Sequence, residues 1–306
     1  MTEDDLFPGF ATERIDTGPG GVVIHMRIGG KGPALLLLHG YPQTHVAWHR
    51  LAPVLAEQFT VVAPDLRGYG QTGFPRETPS HRSYSKRAMA DDMARLMLLL
   101  GHRRFGVMGH DRGARVAYRL AIDRPELVSR LAVIDVMTTW NQWQPDQQTT
   151  RKRIYHWAFL AQPAPIPETL IGASPSDWVD GRFKRGTLAG SLDCIDPRAL
   201  AAYRNALSDP DRIHATCEDY RAGAGCDLID DQADLLDSRH IACPTLLVWA
   251  TAGSLMHVAD PLALWRPWCS NLAGTQVVSG HYVPEENPAA LLEAAKPFFA
   301  EMEASP

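Results

Sequence analysis

Paired cysteine is missing from this 306-residue chain. Cys194, Cys217, Cys226, Cys243 and Cys269 are scattered, odd in number and never in CxxC spacing, which argues against a disulfide framework or a zinc site. Long hydrophobic runs are missing too: no stretch approaches the roughly 18 apolar residues that span a bilayer. The opening Met1-Thr-Glu-Asp-Asp-Leu6 is acidic, with neither a basic run nor an apolar one. A reducing cytoplasm is the expected home, with no membrane partner. An excess of positive charge is also lacking. The net charge of −5 leaves no broad basic face, so no nucleic-acid partner is expected. Basic clusters at 82–87 and at Arg151-Lys152-Arg153 read as solvated faces. There is no internal repeat or low-complexity tract.

What the chain does have is a hydrophobic fraction of 45%, ample for a large core. Its length suits one large domain or a core with an insertion. Gly21–Ile28 reads as a strand, turned by glycines into Ala34–Leu38, which is continuously apolar and suits a strand buried on both faces. A helix is expected from about Val46 to Gln58, then a strand over Phe59–Ala63 and a helix from about Ser85 to Leu100. Strands over Phe105–Gly109 and Leu131–Ile134 flank another helix. This alternation implies parallel βαβ units. From Met137 the rhythm breaks for about a hundred residues rich in Trp, Pro, Asp and Arg, read as short helices. It resumes at Pro244–Trp249, then Thr275–Val278 and a helix from Pro288 to about Glu303. The expected fold is α/β, a mostly parallel central sheet flanked by helices. Residues 1–138 and 242–306 form the core, and 139–241 form a helical cap inserted after the strand that follows the elbow described next.

Gly109-His110-Asp111-Arg112-Gly113 joins a strand to a helix, with glycine two residues either side of an acid. That is the spacing of a nucleophile elbow, a strained turn that tolerates almost no side chain beside its central residue. The elbow normally presents serine. A carboxylate is a poor acyl acceptor but can displace a leaving group from saturated carbon, forming an ester. His281, directly after the last strand, is placed to be the general base. Such a base needs an acid to hold its tautomer. Asp135, at the end of the next strand, is preferred over Asp260, which lies well past the turn after Trp249. His39-Gly40-Tyr41-Pro42 can aim the Tyr41 N–H at the elbow, where the Arg112 N–H also points, giving an oxyanion hole. His39 itself is expected to orient that turn.

His-Gly-x-Pro followed by Gly-x-Asp-x-Gly resembles the dehalogenase and epoxide-hydrolase branch of the α/β-hydrolases, and the resemblance covers the whole chain. At the residue after the nucleophile, relatives acting on neutral haloalkanes or epoxides commonly carry Trp. Here it is Arg112, with Arg115 one turn on, and a planar carboxylate substrate suits paired guanidiniums. The alternative is that both pair with core acids such as Asp135. The segments Lys152–Pro163 and Cys217–Gly223 are similar to cap segments of the fluoroacetate dehalogenases. The resemblance implies that His156, Trp157 and Tyr220 bind the departing halide, that the substrate is a small anionic organohalogen, that neither metal nor organic cofactor is needed, and that the chain forms a homodimer. One departure is Lys184-Arg185-Gly186-Thr187, where that family carries an aromatic; a roomier pocket accepting larger 2-haloacids is expected from it. An epoxide hydrolase is the rival, with Tyr155 and Tyr220 as the tyrosines it would need.

Overall fold

Leu35, Leu36, Leu37 and Leu38 have no exposed surface, and they lie in the third of eight strands of a single sheet. The computed structural model describes residues 6–75, 80–144 and 155–302. The strands are β1 (Ala11–Asp16), β2 (Val23–Gly29), β3 (Ala34–Leu38), β4 (Thr60–Pro64), β5 (Phe105–His110), β6 (Val128–Ile134), β7 (Thr245–Ala250) and β8 (Leu272–Val277), in the order β1-β2-β4-β3-β5-β6-β7-β8. β1 and β2, and β2 and β4, pair antiparallel; every later pair is parallel. The central strands β3 and β5 are buried at every position and β6 from Leu131 onward, as parallel strands under crossover helices must be.

The helices of the first half are α1 (Ala52–Leu55), α2 (Lys86–Leu99), α3 (Arg112–Asp123) and α4 (Thr139–Gln142). Two details differ from the sequence reading. The expected helix over 46–58 is only a 3-10 turn, His45–Trp48, followed by the single turn α1. Pro53 has no N–H to give, so it sits in the first turn of a helix and cannot continue one. The other is β1, which was not expected; its exposed, alternating-polar edge gives no continuous apolar signal. α2 begins as expected, with Ser85 capping the Ala88 N–H.

Between β6 and β7 the described residues hold helices and no strand: α5 (His156–Leu160), α6 (Ile166–Gly172), α7 (Pro175–Gly186), α8 (Pro197–Leu207), α9 (Pro210–Ala224) and α10 (Cys226–Leu236) follow α4. α11 (Pro261–Trp265), α12 (Val283–Glu286) and α13 (Pro288–Ala300) complete the chain, and Glu303 lies outside the described residues.

The inserted helices are clamped to the core by buried ion pairs. Arg112, Arg115 and Arg119 fall on one face of α3 at helical spacing, all buried. Arg119 meets Asp231 at 2.9 Å and also Asp234, both on α10. Asp219 on α9 accepts from Arg112, from Lys86 and from the Tyr69 hydroxyl at 2.7 Å. Lys86 is therefore buried, not part of a solvated basic face, because its ammonium is drawn under α9 by Asp219 and Asp227. The other basic cluster, Arg151-Lys152-Arg153, lies outside the described residues.

Candidate active site

The turn from β5 into α3 holds Asp111 at φ 49° and ψ −114°, a conformation that L residues rarely adopt. It persists because the flanking glycines leave no alternative. A Cβ on Gly113 would stand 2.2 Å from the Leu38 carbonyl oxygen, and one on Gly109 would stand 2.7 Å from the Ala114 backbone. A Cβ on Gly40 would meet the Asp111 Cβ at 2.5 Å. The strand ends can approach this closely only with glycine there. The result is an acid raised at the carboxyl edge of the sheet.

Asp111 Oδ1 accepts from the Tyr41 N–H at 2.9 Å. The Arg112 N–H opens α3 and so has no intrahelical acceptor. Asp111 Oδ2 stands 3.6 Å from His281 Nε2, and His281 Nδ1 stands 2.7 Å from Asp135 Oδ2. Asp135 is wholly buried and held by the Ala250 N–H at 3.1 Å and the Ser254 N–H at 2.6 Å. Asp260, the other acid weighed, is far from this cluster in function: it caps α11, pairs with Arg266, and its side chain is half exposed. A Cβ on Gly253 would lie 2.2 Å from the Asp135 carboxylate, so the turn after β7 is also built around it.

The charges are coupled. Burial works to raise the Asp111 pKa, but the hydrogen bond and charge of His281 outweigh it and hold the carboxyl well below its ordinary range. Burial works to lower the His281 pKa, but hydrogen bonds to Asp111 and Asp135 outweigh that and lift it to about 9. His110, at the elbow, accompanies them. It contacts the His281 carbonyl at 2.8 Å through Nε2, and burial, then the His281 charge, lowers its pKa to about 4, so it stays a neutral donor. His39 holds its turn as expected. It accepts from the Leu66 N–H at 3.0 Å through Nε2 and contacts the Gly40 carbonyl through Nδ1.

These residues open onto a cavity of about 50 Å3. Since one water needs about 10–15 Å3, it suits a ligand of few heavy atoms. Arg115, His156, Trp157, Arg182 and Gly186 share its lining with Tyr41, Asp111 and His281. The Arg112 and Arg115 guanidiniums stack on the Trp157 ring, 4.7 Å away for Arg112 and 4.4 Å for Arg115. Arg112 does pair with an acid, but with Asp219 of the inserted helices and not with Asp135. Its Nε and Nη2 donate to Asp219 at 2.8 and 2.7 Å, leaving Nη1 buried and unpaired. Besides the Trp157 ring, Arg115 hydrogen-bonds only to the neutral Thr139 and Gln142 among the described residues, with Nε buried and unpaired there. The Tyr220 hydroxyl and His156 Nδ1 are likewise buried without a partner among the described residues. Burial holds the Tyr220 pKa well above its usual value and, with the Arg182 charge second, holds that of His156 well below. Both are neutral donors. Tyr155 is 42% exposed with Arg185 over its ring, and it does not line the cavity.

The space opposite Gly186 is not vacant. A Cβ there would meet the Tyr282 ring at 2.5 Å, so within Lys184–Thr187 the chain at Gly186 packs directly on Tyr282. One further cluster has metal-ligand character, His25, His45 and Asp65. Its atoms are spent on one another: His25 Nδ1 and His45 Nδ1 lie 3.1 and 2.8 Å from the Asp65 carboxylate, which also accepts from two backbone N–H groups.

Residues 33–288 match the family model for the alpha/beta hydrolase fold. This chain belongs to the α/β-hydrolases. Among its relatives, this α/β-hydrolase is 41% identical over 283 residues to a fluoroacetate dehalogenase from Burkholderia sp, covering 92% of this chain and 91% of the relative. It is 30% identical over 300 residues to a soluble epoxide hydrolase from Corynebacterium sp. (strain C12), covering 92% and 94%. A crystal structure of a protein from Nostoc sp PCC 7120 superposes with a TM-score of 0.91 at 43% identity, covering 96% of this α/β-hydrolase and 99% of that chain.

Sequence reasoning missed four contributors to the site of this α/β-hydrolase: His110, Ser254, Gln142 and Arg182. His110 lies inside the elbow, and its position beside Asp111 was the available signal. Ser254 Oγ, 3.1 Å from His281 Nδ1, lies in a turn and Gln142 ends the short α4, and neither belongs to a motif. Arg182 sits in an inserted helix, where spacing alone does not say which face looks inward. Among the described residues, no helix is long and apolar enough to cross a membrane.

Proposed function

We propose that this hydrolase is a haloacetate dehalogenase that converts a 2-haloacetate and water into glycolate and halide, with residues 139–241 acting as the cap. The observation that carries this reading is a carboxylate nucleophile beside a buried guanidinium, Arg115, that has no acid of its own among the described residues. A buried, uncompensated cation is costly unless an anion completes the site. Arg112 Nη1 and Arg115 Nε are the free nitrogens that would take the substrate carboxylate. Asp111 Oδ2 attacks the α-carbon; the new C–O bond forms as the carbon–halogen bond breaks, and the electron pair leaves with the halide. Tyr220, His156 and Trp157 would receive it.

Alkylation removes the Asp111 charge, and with it one of the two carboxylates that keep His281 protonated. His281 then loses its proton to solvent, the one proton the net reaction releases, and becomes a base when one is needed. Held by Asp135, it takes a proton from water, whose oxygen attacks the Asp111 ester carbonyl. The Tyr41 and Arg112 N–H groups stabilise the oxyanion. Collapse expels the glycolate oxygen, which takes the proton back from His281, and the new Asp111 carboxyl passes its own proton to His281, restoring the starting carboxylate and imidazolium.

The rival reading, an epoxide hydrolase, draws support from the Corynebacterium relative. It needs two tyrosines over the nucleophile. Tyr220 meets the Tyr41 and Trp157 rings edge-on and Tyr155 is exposed, and neither lines the cavity. The test is product analysis: halide ion released from fluoro-, chloro- and bromoacetate, against diol formed from styrene oxide. Diol without halide would overturn the proposal.

A further inference from the structure

Arg182, on α7, is only 8% exposed, yet no carboxylate among the described residues lies within ion-pair reach of it. Among the described residues its Nε and Nη1 are buried without a hydrogen-bond partner, and Nη2 stands 3.4 Å from His156 Nε2. The guanidinium lines the cavity into which Asp111 and His281 open. Its charge bears on Tyr41, His156, Tyr220 and Tyr282, whereas Arg115 touches Trp157, Thr139 and Gln142. The two uncompensated cations thus serve different walls of one small cavity.

A substrate with one carboxylate gives Arg115 its partner and leaves Arg182 without one. In a displacement at the α-carbon, a second negative charge does arise: the charge of the Asp111 carboxylate moves to the departing halide. Resting on the dehalogenase reading, we propose that Arg182 is a catalytic residue that receives this halide, together with the Tyr220 hydroxyl and His156 Nδ1. The charges then balance. Arg115, Arg182 and protonated His281 face Asp111, Asp135 and the substrate carboxylate, and the balance is unchanged when the Asp111 charge passes to the halide. Arg182 has a second effect. A guanidinium can only donate, so its contact with His156 Nε2 makes that nitrogen the acceptor and leaves the imidazole proton on Nδ1. Nδ1 is the buried nitrogen without a partner. The dependence on Arg182 is steepest for fluoride, the smallest halide and the one with the most concentrated charge.

Two variants and two readouts test this. In Arg182→Gln, kcat on fluoroacetate should fall by about 10²–10³-fold, as for loss of one preorganised donor at a developing charge. On bromoacetate it should fall by roughly tenfold or less, with KM for both within about threefold. Arg182→Lys should recover part of the fluoroacetate rate, and thermal melts of both variants establish that they are folded. An equal loss on every halide, or a loss appearing mainly in KM, would overturn the assignment, because that is the signature of a carboxylate-binding residue. So would a wild-type preference for 2-halosuccinates that Arg182→Gln abolishes. The second readout needs no turnover: bromide binding by the resting enzyme, followed through tryptophan fluorescence, should weaken by about tenfold or more in Arg182→Gln. If the wild type releases no halide from any haloacetate, the dehalogenase reading fails. Arg182-dependent bromide binding would then still support an anion site at Arg182, and unchanged binding would remove it.

Discussion

The two half-reactions should separate with pH. His281 is held at about 9 by two carboxylates, against an ordinary 6.5. At 1.36 kcal/mol per unit, that difference corresponds to roughly 3 kcal/mol favouring the imidazolium, an order-of-magnitude figure. One of the two carboxylates, Asp111, is consumed when it is alkylated. The pKa in the ester must therefore fall between the ordinary value and about 9, while Asp135, at 2.7 Å, keeps it from falling the whole way. Alkylation needs ionised Asp111, whose pKa is far below neutrality, and so should be flat with pH from about 5 upward. Hydrolysis needs neutral His281 and should decline as pH falls through the ester-state value. At pH 5, rapid mixing with bromoacetate should give a burst of about one halide per active site followed by slow turnover, and intact-mass analysis should show the ester accumulating. At pH 8 the burst should vanish into the steady state. Halide release and glycolate formation that decline together with a single midpoint, with no ester at pH 5, would refute the reasoning.

Arg115→Met removes a charge-assisted contact worth about 1.5–3 kcal/mol, so kcat/KM should fall by roughly 10–150-fold on fluoro-, chloro- and bromoacetate alike, measured as halide release. Asp135→Asn should leave alkylation intact but slow ester hydrolysis by on the order of 10⁴-fold, as expected when a histidine loses the acid that sets its tautomer; single-turnover mass analysis reads this. Asp219→Asn leaves Arg112 and Lys86 buried without their shared carboxylate, at a cost of about 3–5 kcal/mol. Urea denaturation should find the midpoint lowered accordingly, and an unchanged midpoint would show that the ion cluster does not hold the inserted helices down. Because the Asp219 pKa is depressed in the folded protein, its contribution is present above the ordinary carboxylate value and is lost as pH falls below it. Gly113→Ala should not yield folded protein, since its Cβ would lie 2.2 Å from a backbone oxygen.

The parts of the site that follow from local chain chemistry were legible before the structure. Ala34–Leu38 is apolar at every position, so its burial on both faces was legible, and the elbow glycines announce a turn that only they allow. Asp135 and His281 were legible because each ends a strand at the carboxyl edge of the sheet. What could not be read is where long polar side chains go. Arg112 and Arg115 look equivalent along the helix. Only the packing of α9 against α3 gives Asp219 to the first and leaves the second with neutral partners. Lys86 reads as solvated because nothing local shows two aspartates 133 and 141 residues away folding over it. The helix expected over 46–58 failed for a local reason: Pro53 can stand in the first turn of a helix but cannot continue one.

The central claim is that Asp111 attacks carbon and that His281 is needed only afterwards. His281→Asn, incubated with fluoroacetate and digested, tests it directly by mass spectrometry. The account predicts one equivalent of fluoride released, then arrest, with a carboxymethyl ester on the peptide containing Asp111. An unmodified Asp111 peptide from a variant that is folded and exposed to the same substrate would contradict it.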